Sequence, residues 1–309
     1  MNTQIKSGVE TEVGMPLRTY DYEMVCGASS NNVEYPKSYS IPRENTGTLK
    51  NQGNYECCVA EVISQIAEEG WRQVLGEQEE FSEGFTYGTL RKDTSVSPGM
   101  IVSTAMDLWR EIGTLPKKYF DRIAEMPEIK NIVKNYPELY EIASKYKLSG
   151  YVALKSKNKD IEIKDALMKY NYGLVAVAPN YFGASHCIQI VGWDDEQNKY
   201  EFKNSQGARY RDNGYGYIPK SEITHVYLPL FRDIELPFED VHKNDWYYKA
   251  IMNMYFSGLM NGTSSTTFEP NSQMTRAEVA TIMDRLCKII DNRFALFSKV
   301  LSDEGLKKI

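Results

Sequence analysis

The 309-residue chain reads as an α+β protein: a helical half and a sheet half meet across a cleft, and a small helical module follows them. Three observations predict this. Helical periodicity fills the first half, where Val59, Ile63 and Ile66 recur with Glu61, Gln65 and Glu68 between them. The second half instead carries short runs rich in Val, Ile and Tyr, at 151–154, 174–178, 186–193, 200–203 and 215–218, which read as antiparallel strands. After Phe231 the composition shifts, and the roughly fifty residues that follow are too few for a robust core of their own, so they dock or associate.

In chain order, residues 1–37 are polar, lack sustained periodicity and read as an extended arm. The main domain spans 38–232. Its first helix is amphipathic and begins at Cys57 and Cys58, a second covers Ile101–Ile112, and Glu128–Tyr146 reads as further helix interrupted near Pro137. Ser97-Pro98-Gly99-Met100 reads as a glycine-containing loop. One helix, Ile163–Tyr170, precedes the strand at 174–178, and Asp194–Asn198 reads as a solvated hairpin turn. Leu236–Asp240 marks the boundary of a module over 236–290, with a short helix (Tyr248–Phe256), a glycine-containing loop and a second helix opening at Thr275. There Glu278 completes a capping box. Residues 291–309 read as an amphipathic helical tail.

Composition excludes several functions. A net charge of -6, with Lys and Arg scattered, argues against a nucleic-acid binder, which needs a basic surface. No stretch reaches the roughly 20 apolar residues that span a bilayer. The first residues hold no apolar core of a secretion signal. Five cysteines, two of them adjacent, make no disulfide framework, which leaves room for a thiol with a chemical task.

Cys58 sits where the first helix begins, and a helix N-terminus favours a thiolate. Gln52, just upstream, is placed to offer a carboxamide to the same spot, so that its amide and the Cys58 N–H together hold an oxyanion. Of three histidines, His186 opens an apolar strand after a small-residue loop, whereas His225 and His242 lie in polar, linker-like contexts. An imidazole base needs a partner on its other nitrogen, and Asn204 ends a neighbouring strand. Taken singly, each residue has an ordinary structural explanation.

These pieces resemble the papain-like cysteine peptidases. The resemblance rests on Lys50-Asn51-Gln52-Gly53 through Cys58-Val59-Ala60, then Ser185-His186-Cys187-Ile188 through Val191-Gly192-Trp193, then Lys203-Asn204-Ser205-Gln206-Gly207 with Asn213-Gly214-Tyr215. It covers roughly residues 38–225 and implies a papain-like fold acting on a peptide or protein substrate without a cofactor. It assigns Cys58 as nucleophile, His186 as base, Asn204 as its orienter and Gln52 to the oxyanion. Three positions depart from the pattern. Val59 stands where a tryptophan usually follows the nucleophile, Gln206 replaces the aromatic residue that shields the asparagine–histidine bond, and Tyr55 replaces a disulfide cysteine.

Phe238-Glu239-Asp240-Val241, Gly258-Leu259-Met260-Asn261-Gly262, Phe268-Glu269-Pro270 and Met274-Thr275-Arg276-Ala277-Glu278 resemble a surface-layer homology repeat. That implies noncovalent binding of an anionic cell-wall polysaccharide, with Arg276 as the contact. The function expected is a peptidase tethered to a bacterial cell surface. The alternatives are a retired peptidase scaffold acting as a wall-binding or assembly protein, and an amidase or transglutaminase on the same scaffold. A wall-binding repeat implies export while the first residues show no signal for it, so a cytoplasmic location stays open.

Overall fold

A computed structural model describes residues 20, 22–26, 34–76, 78–89, 99–121, 136–155, 157–232 and 235–288. They divide into two compact units: the described residues from 34 to 232 form the larger, and residues 20 and 22–26 join 235–288 in the smaller. In chain order the elements are α1 (Tyr22–Cys26), β1 (Ser38–Ser40), α2 (Cys58–Leu75), α3 (Glu83–Thr89), α4 (Val102–Ile112), α5 (Glu138–Ala143) and β2 (Gly150–Ala153). There follow α6 (Lys159–Tyr170), β3 (Leu174–Ala178), β4 (His186–Asp194), β5 (Lys199–Lys203), β6 (Tyr215–Pro219), β7 (His225–Leu230), α7 (Tyr248–Phe256) and α8 (residues 276–288). None of these helices is long and apolar enough to cross a membrane.

The seven strands form one antiparallel sheet ordered β2-β7-β3-β4-β5-β6, with β1 pairing the far end of β4. Strands β3 and β4 are its centre, and α2 and α6 both pack on β4. The α+β plan expected from periodicity is the observed one. Its principal departure is β7. The sequence pattern marks no strand at 225–230, where His225 has a linker-like context, yet these residues pair with β2 from Gly150↔Leu230 to Ala153↔Tyr227 and with β3 from Val175↔Tyr227 to Val177↔His225. Pro229 is tolerated because it lies beyond the last β7 residue that β3 contacts, so the missing N–H breaks no bond there.

A second departure concerns α2, expected to be amphipathic. Every residue from Cys58 to Trp71 is buried, including Glu61, Gln65, Glu68 and Glu69. Such groups are costly to bury unless partnered, and among the described residues the three glutamates are partnered whereas the Gln65 carboxamide is not. Lys50 Nζ lies 2.6 Å from Glu68 and 2.8 Å from Glu83. Glu69 accepts from the Gly173 N–H at 2.7 Å and from Gln189 Nε2 at 2.6 Å. The helix is thus central rather than superficial.

The smaller unit has a modest core of Phe238, Val241 and Ile251, with Leu236, Tyr247, Tyr248, Tyr255 and Phe268 around it. Asp240 ties its loops together by accepting the Phe268 and Glu269 N–H groups at 2.9 and 2.6 Å. The capping box is present: the Thr275 N–H donates to Glu278 Oε2 at 2.7 Å, and the Glu278 N–H donates to Thr275 Oγ1 at 3.2 Å. Part of the expected N-terminal arm belongs here instead of lying extended. Tyr20 and Tyr22 are buried, the Tyr20 ring sits 5.4 Å from Phe256, and its hydroxyl donates to Asn253 Oδ1 at 3.3 Å. Large aromatic surface drives that docking. Residues 34–37 of the arm lead into β1, while residues 1–19, 21 and 27–33, residues 128–135 of an expected helix and the tail at 291–309 fall outside the described residues.

Gly70 shows how closely α2 is packed. A Cβ there would stand 2.1 Å from the Phe231 ring, which is itself wedged among Trp71, Trp109 and Tyr172 at centroid distances of 5.3, 5.6 and 5.1 Å. Gly70→Ala overpacks this cluster and lowers stability by roughly 1–3 kcal/mol, read as an earlier thermal-denaturation midpoint. An unshifted midpoint would mean that the rings give way freely.

Candidate active site

Two buried lysines set the geometry. Lys203, at the end of β5, donates to the backbone carbonyls of Thr46, Gly47 and Thr48, the last two at 2.8 and 3.1 Å. Lys50 is clamped by Glu68 of α2 and Glu83 of α3. Continuing from these anchors, residues 50–52 run antiparallel to residues 205–207: Asn51 bridges Gln206, the Gln52 N–H donates to the Ser205 carbonyl at 2.9 Å, and the Gly207 N–H donates to the Lys50 carbonyl at 3.0 Å. Gln52 is thereby fixed beside Asn204. Its side chain is held at both ends, Oε1 accepting from Ser205 Oγ at 2.6 Å and Nε2 donating to the Tyr55 carbonyl at 2.8 Å.

The chain then turns into α2, with Cys57 at the N-cap and Cys58 the first helical residue. The N–H groups of a first helical turn have no partner within the helix and carry its positive end. Cys58 is fully buried, and its Sγ accepts from the Cys187 N–H at 3.5 Å, one residue along β4 from His186. Nucleophile candidate and base candidate are therefore brought together by the packing of α2 on the start of β4.

His186 is fully buried, and its Nε2 lies 2.8 Å from Asn204 Oδ1. The Ser205 N–H also donates to that oxygen, at 2.9 Å, so the oxygen faces the ring and Nε2 carries the proton. This leaves Nδ1 unprotonated and, among the described residues, without a hydrogen bond. Burial pushes the ring's pKa down to about 4, against which the Asn204 bond acts to raise it.

Cys57 is the other thiol at this corner. Burial pushes it well above the ordinary thiol range, and the nearby Glu61 adds to the effect. It donates to Glu61 Oε1 at 3.4 Å, and burial raises the Glu61 carboxyl to about 8. Cys57 and Glu61 thus hold their protons at neutral pH as a buried, uncharged pair.

His225 stands on β7 with Thr224 Oγ1 at 3.1 Å, and His242 belongs to the smaller unit. Of the expected glycine-containing loop, Gly99 and Met100 are described, Met100 being buried, while Ser97 and Pro98 fall outside the described residues. Arg276 is exposed at the head of α8. One residue not singled out in the sequence also belongs to the site: the Phe182 ring lies 4.9 Å from the His186 ring, edge to face. The aromatic pair Tyr181-Phe182, only a few residues before the histidine, was the signal available.

Comparison with solved structures fits this arrangement. The chain superposes on xylellain, a cysteine protease from Xylella fastidiosa, over 74% of its own length and 97% of that chain, with a TM-score of 0.58 at 16% identity. The fold is papain-like. Procathepsin B S9 from Trypanosoma congolense gives a TM-score of 0.56 at 14% identity, over 73% of this chain and 86% of that one. Residues 237–280 match the S-layer homology domain. Consistently, 69 residues are 41% identical to the surface-layer 125 kDa protein of Lysinibacillus sphaericus, covering 21% of this chain and only 6% of that protein. Both resemblances read from short motifs therefore hold at the level of fold and domain.

His186 yields a direct expectation. In Cys58→Ala, where no thiolate can lift it, the ring titrates near 4 by imidazole NMR; a midpoint near the ordinary 6.5 would mean a solvated ring. The sign for stability follows. The unfolded chain takes up this proton near 6.5 and the folded chain only near 4, so the contribution of His186 to stability falls as pH drops between those values.

Proposed function

We propose that the chain is a cysteine peptidase held at a bacterial cell surface by its S-layer homology domain. What supports the catalytic assignment is the Nε2–H···Oδ1 bond of 2.8 Å between His186 and Asn204, which leaves Nδ1 without a hydrogen bond among the described residues, together with the contact of Cys58, at the positive end of α2, with the N–H of the adjoining Cys187. The proton of Cys58 passes to His186 Nδ1 as sulfur attacks the peptide carbonyl. Charge developing on the carbonyl oxygen meets the Cys58 N–H and the Gln52 amide. Nδ1 then protonates the departing amine, leaving a thioester on Cys58. Water surrenders a proton to Nδ1, attacks the thioester and releases the acid, and the thiol is reprotonated.

The opposite charges of a thiolate and an imidazolium would each stabilise the other, which offsets the downward push of burial on His186 once both are ionised. Cys57, holding its proton beside Glu61, is a packed residue in this scheme. For the second unit, Arg276 is proposed to meet anionic groups of the wall polymer, a role that its exposure permits. One observation favours a second reading, a noncatalytic scaffold: both Cys58 and His186 are fully buried, so a substrate has to gain access to them.

The assignment is tested by turnover of a casein or peptide substrate under reducing conditions. Cys58→Ala abolishes it and Cys57→Ala does not, while Gln52→Ala lowers kcat on the order of a hundredfold. Activity lost with Cys57 and retained without Cys58 would reassign the nucleophile. Failure of a thiol-directed inactivator to label the wild type at Cys58 would favour the scaffold reading. Sedimentation with purified cell wall, weakened by Arg276→Ala, checks the tether.

A further inference from the structure

The bond that orients His186 joins two neutral side chains, and such a bond is strong only where water cannot compete for it. The backbone supplies cover on one side, because Asn204 and Ser205 are fully buried. On the ring side the neighbour is Phe182, at 4.9 Å and an interplanar angle of 68°. Phe182 belongs to the turn joining β3 to β4, closed by the Gly183 N–H donating to the Asn180 carbonyl at 3.0 Å. Its ring also meets Phe202 of β5 at 5.7 Å, and Phe202 in turn meets Tyr210 at 6.3 Å. The turn is anchored beyond Phe182 as well. The Tyr181 hydroxyl donates to the Tyr217 carbonyl at 3.3 Å, and the Arg211 guanidinium lies 5.8 Å from the Tyr181 ring. Gln206, two residues past Asn204, contributes a polar side chain to this end of the sheet rather than an apolar one.

We propose that Phe182 is the positioning residue that holds the His186 ring and keeps water from the His186–Asn204 hydrogen bond. The inference rests on the peptidase assignment for its consequence in catalysis, but the shielding itself does not. Phe182 touches neither sulfur nor scissile bond; it acts through the imidazole. Its removal admits water to Oδ1 and frees the ring to rotate, which lowers the fraction of molecules with Nδ1 directed at Cys58.

Three histidines in the chain make the experiment tractable by imidazole NMR of the full-length protein labelled with ¹⁵N-histidine. In the wild type the Nε2–H of His186, assigned through His186→Gln, exchanges slowly with water. In Phe182→Ala, with the fold verified by circular dichroism, exchange accelerates about five- to tenfold, the order expected for loss of one net hydrogen bond. Phe182→Tyr restores the protection. With a peptide substrate, kcat of Phe182→Ala falls by a similar factor while KM stays near its wild-type value. An unprotected Nε2–H in the wild type, or protection unchanged in Phe182→Ala, overturns the proposal. A wild-type protein that hydrolyses nothing sinks the peptidase assignment instead, and the exchange measurement still decides the role of Phe182.

Discussion

A charge inside a protein has to meet another charge or a set of dipoles, and α2 carries Glu61, Glu68 and Glu69 through the middle of the larger unit. The fold answers in two ways. Glu68 is paired with Lys50, while burial raises Glu61 to about 8 and Glu69 to about 7, so that these two shed much of their charge near neutrality. Lys203, opposite Glu69, spends its donors on three carbonyls of the 46–48 segment. The contacts that let a polar helix be buried are therefore the same ones that pin the segment leading to Gln52. Breaking one partner of such a set strands the other, at a cost of roughly 3–5 kcal/mol. Position of the carboxamide and integrity of the core are thus a single problem.

Much of this was legible in the residue order. The strands at 174–178, 186–193 and 200–203 carry enough β-branched and aromatic residues to declare themselves, and His186 opens β4 while Asn204 directly follows the last residue of β5. What the pattern concealed was decided by tertiary contact. The interleaved acids of α2 imitate a solvated face, because periodicity cannot tell an exposed glutamate from one met by a lysine. β7 carries a histidine at its head and a proline inside, and its place in the sheet depends on partners far away in sequence. α3, with two glycines in seven residues, lacks helical propensity of its own and is held by packing, the Ser82 and Thr86 hydroxyls bonding within its first turn.

In the smaller unit the balance reverses. Local signals were nearly sufficient there: the Thr275–Glu278 capping box and the helix at Tyr248–Phe256 occur where the sequence puts them. Its core, however, is small, gathered on Phe238, Val241 and Ile251 with a fringe of aromatics, and along α8 none of the residues is buried. Strong local rules with little burial make a unit whose shape is well specified and whose intrinsic stability is small.

The last strand of the sheet in sequence does not lie at its edge. β7 slots between β2 and β3, so those two have no common neighbour until residue 230 has been joined to the chain. A polypeptide emerging from the ribosome has thus already exposed Gln52, Cys58, His186 and Asn204 before the strand that closes the sheet exists. The hairpins β3–β4 and β4–β5 close over short turns, whereas the pairings that bring β2 into the sheet through β7 must close loops of about fifty to eighty residues, so the complete sheet can form only after residue 230 has been made.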